Sequence, residues 1–311
     1  MDKLTSILVV ASRTDADRML LDKAVVLARS FGAQIFLFSC DAALAQSIQH
    51  THSSDDAEKC RQVGLDEHLA YLSALRGAIH ATDVQISVDA QCASPLYEAI
   101  IKKAQELRAD LVMKSPSGSH PLRRIAFDAN DWHLMRECSA TLMLVRQKPW
   151  EVIPRFAAMV DVSEDRMARL AEIIIHTSEY FALGCHAELH VVYSESSADA
   201  HQRTERAAAL RRITQAYRIS ATHVHVLSGD PEVTLPEFAA QQHYDALILG
   251  GLTHRRGIAP LVGTLTGKLV ETLDTDFILV KRAAPAQAEK EASDGTSRVG
   301  SSVVWQALFG D

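Results

Sequence analysis

Apolar strands and amphipathic helices alternate along most of the chain, and the same order of segments occurs twice. The first copy begins with an apolar segment at 6–12, a helical stretch at 15–30 and a second apolar segment at 33–40. The second copy begins with the corresponding segments at 156–161, 164–182 and 187–193. Self-similarity of this kind indicates two copies of one folding unit.

The later half of each copy repeats as well. The first copy continues with a strand at 84–88, a helix at 96–107, a strand at 110–114 and a last strand at 142–145. The second copy continues with a strand at 224–227, a helix at 231–243, a strand at 246–250, a helix at 268–273 and a last strand at 277–280. Pro95 and Pro231 both stand at a helix start, where the missing N–H costs nothing.

These segments predict the fold class. Strands that are apolar throughout are buried on both faces, and the helices between them require parallel pairing with right-handed crossovers. The sequence therefore predicts an α/β protein of two tandem, doubly wound, five-stranded parallel sheets of the Rossmann-like type. The predicted boundaries are 1–147 for the N-terminal domain, 148–154 for a stiff linker, 155–282 for the C-terminal domain and 283–311 for a disordered tail. Because the linker is short, we expect the two domains to pack on one another.

Two segments stand outside the repeat. The segment 41–59 is predicted to be a long loop, in which His50 and His52 either bind a metal or belong to a mobile loop without a preorganised site. The tail ends in an apolar patch at 303–309, with Trp305 at its centre. This patch is interpreted either as a docking peptide or as a frayed chain end.

Composition narrows the classes of function. The 311 residues are 47% hydrophobic and 23% charged, with a formal charge of −7, which is the balance of a soluble globular protein and argues against nucleic-acid binding. No apolar run approaches the roughly 20 residues needed for membrane insertion. Five scattered cysteines without a CxxC pair predict reduced thiols packed as small hydrophobes. The N-terminus is interpreted as a first strand and not as a signal peptide, so a cytoplasmic location is predicted.

A glycine-rich segment follows the fourth strand of the second copy. In an open parallel sheet, ligands bind beyond the carboxyl ends of the strands, where the strand order reverses. Glycine at Gly250 would let backbone N–H groups approach an anion closely. Gly263 and Thr264 are expected to open a helix, and the amino end of a helix favours phosphate. The sequence therefore predicts a phosphate-binding loop in this copy.

The loop resembles the motif of the universal stress protein family, G-x2-G-x9-G-[ST] after strand four. Laid on this chain, the motif falls on Gly250, Thr253, Gly263 and Thr264, and only Thr253 departs from it. The resemblance implies an adenine nucleotide alpha hydrolase-like fold that binds ATP. The Cβ of Thr253 would narrow the loop, whereas its hydroxyl can itself donate to phosphate, and a vestigial loop or another ligand remains an alternative.

The resemblance also implies residues that recognise the base. Asp161 matches the family's strand-one aspartate, and Val191 matches the valine whose backbone reads adenine. Leu249 and Leu265 flank the glycines and complete the expected set. The implied cofactor is ATP or another adenine nucleotide, with Mg²⁺ held through the phosphates, and no cofactor is expected to be required. Arg255 and Arg256 either grip phosphate or lie in a solvated loop.

The first copy lacks this motif. Lys114 is expected at the place of Gly250, and Ser12 at the place of Asp161. Instead, the segments 131–138 and 148–150 resemble the tandem, E-like branch of the same family, a resemblance that extends over residues 3–282. Trp132 and His133 in this stretch either line a ligand cleft or pack against the other domain.

No nucleophile elbow, catalytic lysine or paired carboxylate motif is evident, so a binding function without catalysis is predicted, with weak ATP hydrolysis left open. The leading hypothesis is a cytosolic stress-response protein that uses a nucleotide in the second domain as a signal. The alternative is a carrier or sensor of an apolar or lipid-linked metabolite between the domains, and a slow ATPase is the third. An unknown protein partner is expected, and the chain is a monomer or a homodimer.

Overall fold

The computed structural model describes residues 3–48, 54–116, 118–120, 123–126, 128–251 and 260–281, and gives only the backbone at 118–120, 123–126 and 260–264. Several sequence predictions lie outside these residues. They are the predictions for His50, His52, Thr253, Arg255 and Arg256, and those for the tail beyond residue 282.

The strands of both copies form one sheet. They are β1 Ser6–Ala11, β2 Gln34–Cys40, β3 Ile86–Gln91, β4 Leu111–Lys114, β7 Thr141–Leu144, β8 Arg155–Met159, β9 Glu188–Glu195, β10 Val224–Ser228, β11 Ala246–Gly250 and β12 Asp276–Val280. Their order across the sheet is β10-β9-β8-β11-β12-β7-β4-β1-β2-β3. A separate antiparallel hairpin consists of β5 Gly118–His120 and β6 Arg123–Ala126.

Helices cover both faces of the sheet. They are α1 Ala16–Phe31, α2 Ala42–Ile48, α3 Ser54–Gly77, α4 Leu96–Glu106, α5 Ala129–Glu137, α6 Asp165–Cys185, α7 Ala200–Ala216, α8 Pro231–Gln242 and α9 Pro260–Thr272. Apolar residues of α1, α3, α6 and α7 form the core on one face. Those of α4, α5, α8 and α9 form the core on the other face, and each core runs through both copies.

The predicted parallel pairing is confirmed within each copy. The five strands of each copy pair only in parallel, and the strand order reverses beside β1 and beside β8. The two copies meet through β7 and β12, which pair antiparallel with Ile278 opposite Met143. The copies are therefore joined edge to edge into one continuous sheet.

Two sequence predictions differ from the structure, one about the segment 41–59 and one about the cysteines. The segment 41–59 is not one long loop, because α2 and the start of α3 lie in it. The Asp41 carboxylate accepts the backbone N–H of Leu44 at 2.8 Å and caps α2, while Asp55 and Asp56 stand in the first turn of α3, where carboxylates are favourable. The predicted packing of all cysteines is also wrong for Cys60, which is exposed, whereas Cys138 and Cys185 are buried.

A buried carboxylate holds the junction between the copies. Asp276 on β12 is 1% exposed and accepts three hydrogen bonds. Their donors are Lys23 Nζ of α1 at 2.6 Å, the Arg146 backbone N–H at 2.7 Å and Trp150 Nε1 of the linker at 2.7 Å. One side chain thus ties together both copies and the segment that connects them.

The last helix of each copy is capped by a cation from the other copy. Arg146 comes five residues after Thr141, the first residue of β7, and Lys281 comes five residues after Asp276, the first residue of β12. Arg146 Nη2 donates to the Val270 carbonyl of α9 at 2.7 Å, and Lys281 Nζ donates to the Met135 carbonyl of α5. Burial lowers the pKa of Arg146 to about 10 and that of Lys281 to about 8. The junction is therefore pseudo-symmetric.

Close packing fills the junction on both faces of the sheet. On one face, the rings of Phe31 on α1 and Tyr180 on α6 stack with centroids 4.6 Å apart. On the other, Trp132 on α5 lies against Gly267 on α9, where a Cβ would come within 2.8 Å of the indole. Glycine is therefore required at 267 by the first copy's tryptophan.

A histidine cluster lies near the amino ends of the strands of the second copy. His190 Nδ1 is 3.0 Å from Nε2 of His225 on the neighbouring strand, and the ring of His223 stacks 4.5 Å away. Burial, followed by the nearby His223 and Arg155, lowers the pKa of His190 to about 4, although Glu188 opposes the shift. His190 is therefore neutral in the folded protein at neutral pH.

Replacing Asp276 with Asn should lower the free energy of unfolding by about 3–5 kcal/mol, because Lys23 keeps a buried charge without its counterion. Chemical denaturation measures the loss. Asp22→Asn, which removes an exposed ion pair with Arg18 on the same helix, is the matched control and should cost under about 1 kcal/mol. Equal losses for the two variants would contradict a structural role for the buried pair.

The protein should lose stability as the pH falls from about 6.5 to about 4. The folded-state pKa of His190 lies below its unfolded value, so the unfolded state binds more protons in this window, at a cost of up to about 1.4 kcal/mol per pH unit. In His190→Leu the pH dependence of the unfolding free energy should be shallower. The exposed His201→Gln is the control, and an unchanged slope in His190→Leu argues against this origin.

Candidate functional site

A cavity of about 540 Å³ lies at the carboxyl ends of the strands of the second copy. It sits where the strand order reverses between β8 and β11, the position at which open α/β sheets bind ligands. Its size falls within the range of small-molecule sites. Its walls are Met159, Val160, Asp161, Ser163, Met167, Leu170, Ala171, Ile174, Tyr193, Ser194, Ser196, Gly229, Asp230, Pro231, Leu235, Leu249, Gly250, Leu265, Thr266 and Leu269.

Asp161 follows β8 and points a carboxylate to this cavity wall. Its Oδ1 accepts the backbone N–H of Ser163 at 2.8 Å, which is the geometry of a turn closed by an aspartate side chain. The turn fixes the carboxylate at the entrance to α6. One oxygen is used in the turn, and a carboxylate keeps further acceptor capacity for a ligand.

Tyr193 at the end of β9 forms a rigid polar wall. Its hydroxyl donates to Glu195 Oε2 at 3.1 Å, and Glu195 also accepts from Arg206 Nη1 at 2.8 Å and the Ser197 N–H at 2.7 Å. Burial works against ionisation of Glu195, but these hydrogen bonds hold its pKa below the usual range. Burial, together with Glu195, raises the pKa of Tyr193. Sequence reasoning missed this network because its members are brought together from β9 and α7.

The G-D-P segment before α8 completes the wall. Gly229 has φ of 129°, a conformation that favours glycine. Its carbonyl accepts the Ser194 hydroxyl at 3.0 Å. Asp230 caps α8 through the Glu232 N–H at 2.9 Å, and Pro231 is the first helical residue, as predicted.

Four of the predicted site residues meet at the cavity: Asp161, Leu249, Gly250 and Leu265. Packing also favours glycine at position 250, because a Cβ there would come within 3.1 Å of Leu170 on α6.

Val191 does not line the cavity. It is fully buried inside β9, and Tyr193 and Ser194, further along the same strand, form the wall instead. The adenine-reading backbone position implied for Val191 is therefore not brought to the cavity.

The glycine loop is only partly described. Thr253 lies outside the described residues, and Gly263 and Thr264 are the fourth and fifth residues of α9. The prediction that these two residues open the helix, and that the helix begins at 268, is wrong because α9 begins at Pro260. Proline suits the first position of a helix, and α9 starts at Pro260, three residues before the glycine that was expected to open it.

The described cavity walls are mainly apolar and carry negative charge. Asp161 and Asp230 are the charged residues among the described lining, which contains no lysine, arginine or histidine. These walls fit an uncharged, flat group with polar edges. Phosphate charges would have to be met outside the described lining, and Arg255 and Arg256 follow Gly251 in the sequence.

Matching hydrogen bonds align the first copy with the second. The Asp110 N–H donates to the Ser6 carbonyl at 3.0 Å, and the Asp245 N–H donates to the Arg155 carbonyl at 2.9 Å. This register places Ser12 at the position of Asp161, as predicted. It places Lys114 at the position of Leu249 and not of Gly250, so the predicted match was displaced by one residue.

In the first copy, an ion pair occupies the corresponding region. Lys114 is fully buried, and its Nζ donates to Asp131 Oδ1 at 2.6 Å and to the Ser115 carbonyl at 3.0 Å. The Asp128 carboxylate caps α5 by accepting the Asp131 N–H at 2.8 Å, and the Asp131 carboxylate in turn accepts the Asp128 N–H. The amino end of this helix is satisfied by the chain's own carboxylates.

The alternatives for Trp132 and His133 are resolved differently for the two residues. Trp132 packs against Gly267 of the second copy, so the packing interpretation applies to it. His133 stays within the first copy, where its ring stacks 4.2 Å from Tyr97 and its Nδ1 lies 2.7 Å from Glu137.

A Ser-His-Asp arrangement in the first copy was not found from the sequence. Ser39 Oγ is 2.7 Å from His68 Nδ1, and His68 Nε2 is 3.4 Å from Asp41 Oδ2. Ser39 is only 1% exposed, so its hydroxyl is closed to a substrate. The contact fastens α3 to β2.

Among the residues that the structure describes, no helix is long and apolar enough to span a bilayer. In the same residues, no group of three or more histidine, cysteine or acidic side chains could hold a metal ion.

Comparisons with known proteins agree with this architecture. Residues 3–146 match the model of the universal stress protein family. The chain is similar to universal stress protein E of Escherichia coli K12, with 23% identity over 93% of this chain and 98% of that protein. It is also similar to the universal stress protein E homolog of Haemophilus influenzae, with 22% identity over 74% and 80% of the two chains.

Two solved structures from Pseudomonas aeruginosa share the fold. A functionally unknown protein from strain PAO1 has a TM-score of 0.72 and 21% identity, over 90% of this chain and 93% of that chain. A putative universal stress protein from strain UCBPP-PA14 has a TM-score of 0.72 and 20% identity, over 90% and 94%. Residues 3–146 therefore belong to the universal stress protein family, and the chain as a whole is similar in sequence to universal stress protein E.

Proposed function

We propose that the second copy binds an adenine nucleotide in the cavity at the reversal of strand order, and that the bound state is a signal in a cytoplasmic stress response. The observation that carries the proposal is the position of this cavity, with the Asp161 carboxylate at its wall. The partial glycine motif, which begins at Gly250 on the same wall, supports it.

The described walls suit the nucleoside part of such a ligand. Asp161 is an acceptor for the exocyclic amino group of a purine, and the apolar side chains of α6 and α9 offer surfaces for its faces. ATP, when bound, would supply phosphates that hold Mg²⁺. The segment after Gly250 and the amino end of α9 would be the neighbours of those phosphates in the family motif.

Binding without turnover is the proposed role. The described lining contains no histidine, lysine, arginine or cysteine that could move a proton or stabilise a leaving phosphate. Each of its two carboxylates uses one oxygen in local structure, since Asp161 closes a turn and Asp230 caps α8, and the other oxygen of Asp161 is assigned to the base. Such walls hold a ligand in place and do not assist an attacking water.

An apolar or lipid-linked metabolite is the second candidate. The predominance of leucine, isoleucine and methionine in the walls, with no cation in the described lining, favours it. The expected position between the domains is revised, because the described cavity lies within the second copy. The described contacts at the junction, including Trp132 against Gly267, are close-packed.

Adenosine and ATP should each raise the melting temperature and give saturable heats in titration calorimetry. Asp161→Asn should weaken both ligands on the order of tenfold, because a charged acceptor becomes a neutral one that still accepts the Ser163 N–H. The exposed Glu164→Gln, three residues away, is the matched control and should bind as the wild type does. No binding of either ligand would overturn the nucleotide proposal.

Gly263→Asp should weaken ATP far more than adenosine, because a carboxylate near the amino end of α9 repels phosphates and not a nucleoside. Equal losses for both ligands would show that the phosphates lie elsewhere.

Native mass spectrometry of the purified protein tests the second candidate, since a co-purified lipid in place of a nucleotide would favour it. Measurable phosphate release that Gly263→Asp abolishes would instead support an ATPase.

A further inference from the structure

Helix α9 has one face on the cavity and another on the first copy. Leu265, Thr266 and Leu269 line the cavity. Gly267 and Val270 face the first copy, where they meet Trp132 and the Arg146 side chain. The helix is therefore a wall shared between the ligand cavity and the junction.

The contact on the junction side is close. A Cβ added at Gly267 would lie 2.8 Å from Trp132 Cη2, closer than side chains normally approach, so the indole lies directly against the glycine backbone. One turn further, the Val270 carbonyl is held by Arg146 Nη2 at 2.7 Å. Because close-packed interiors do not deform continuously, a displacement of α9 towards the first copy must move Trp132.

Trp132 is connected in turn to the interior of the first copy. It lies on α5 directly after Asp131, which pairs with the buried Lys114 at 2.6 Å and belongs to the capping box of the helix. It directly precedes His133, whose ring stacks on Tyr97 of α4. A movement of Trp132 therefore reaches both the buried ion pair and the neighbouring helix.

We propose that α9 and Trp132 communicate occupancy of the cavity to the first copy, an inference that rests on the proposed nucleotide binding. A ligand that displaces Leu265, Thr266 and Leu269 shifts Gly267, and the indole on the other side follows. The first copy, in which Asp131 of α5 pairs with the buried Lys114, responds through α5. Because such coupling acts in both directions, a change at the Trp132 contact must alter the affinity for the ligand.

Hydrogen exchange of the wild-type protein tests the communication without a mutation. Adenosine and ATP are the probes, and calorimetry on the same sample establishes binding independently. The amides of α5 should change their exchange rate at least twofold on saturation, whereas those of α3, on the opposite face of the sheet, should not. Binding without a change in α5 overturns this inference alone, and no binding overturns the proposed function together with it.

A pair of glycine variants tests reciprocity. Gly267→Ala places a methyl group against Trp132 and should change adenosine affinity severalfold, and Gly267→Ala/Trp132→Leu should return it towards the wild-type value. Gly77→Ala is the matched control, because it makes the same substitution in α3 with no atom within 4 Å. Wild-type affinity in a folded Gly267→Ala protein, or no recovery in the double variant, contradicts the inference.

Discussion

The antiparallel pairing of β7 with β12 is the constraint on which the rest of the molecule depends. Each copy alone would end its sheet on one of these strands, with backbone N–H and C=O groups unpaired. Pairing them joins ten strands, brings α1 beside α6 and places Trp132 of α5 against Gly267 of α9. The Asp276 cluster and the exchange of cations between the two final helices form only because the edges meet.

The two copies on either side of this pairing are alike in fold and different in chemistry. Equivalent hydrogen bonds at Asp110 and Asp245 show that the two copies have the same register. At the carboxyl end of the strands, however, the first copy holds a buried Lys114–Asp131 pair, while the second copy encloses a cavity. Among the described residues, the two copies therefore differ in what stands at equivalent positions: a compensated pair of charges in the first and a cavity wall in the second.

Local signals predicted the strands, the doubly wound order and most helices, because these depend on apolar runs and on residues such as Pro231 at helix starts. Asp161 and Gly250 were found through the resemblance to the universal stress protein motif, and Leu249 and Leu265 because they flank its glycines; all four line the cavity. Lys114 was misplaced by one residue, because a local pattern does not fix the hydrogen-bond register of a strand. Val191 was expected at the site, but the cavity wall on β9 begins at Tyr193, two residues further along the strand. The contacts of Trp132 with Gly267 and of Ser39 with His68 join residues far apart in the chain, so no local pattern announces them.

The pairing of β7 with β12 also bears on assembly. Because each of these strands is hydrogen-bonded to a neighbour on both sides, neither offers an edge to a second molecule. The strands at the two borders of the sheet are β3 and β10. They are separated by nine strand spacings of about 4.8 Å each. A second molecule can lengthen this sheet only from those distant borders, so growth by strand addition would produce a linear array, and at β10 the added strand would lie next to the segment Gly229–Pro231 of the cavity wall.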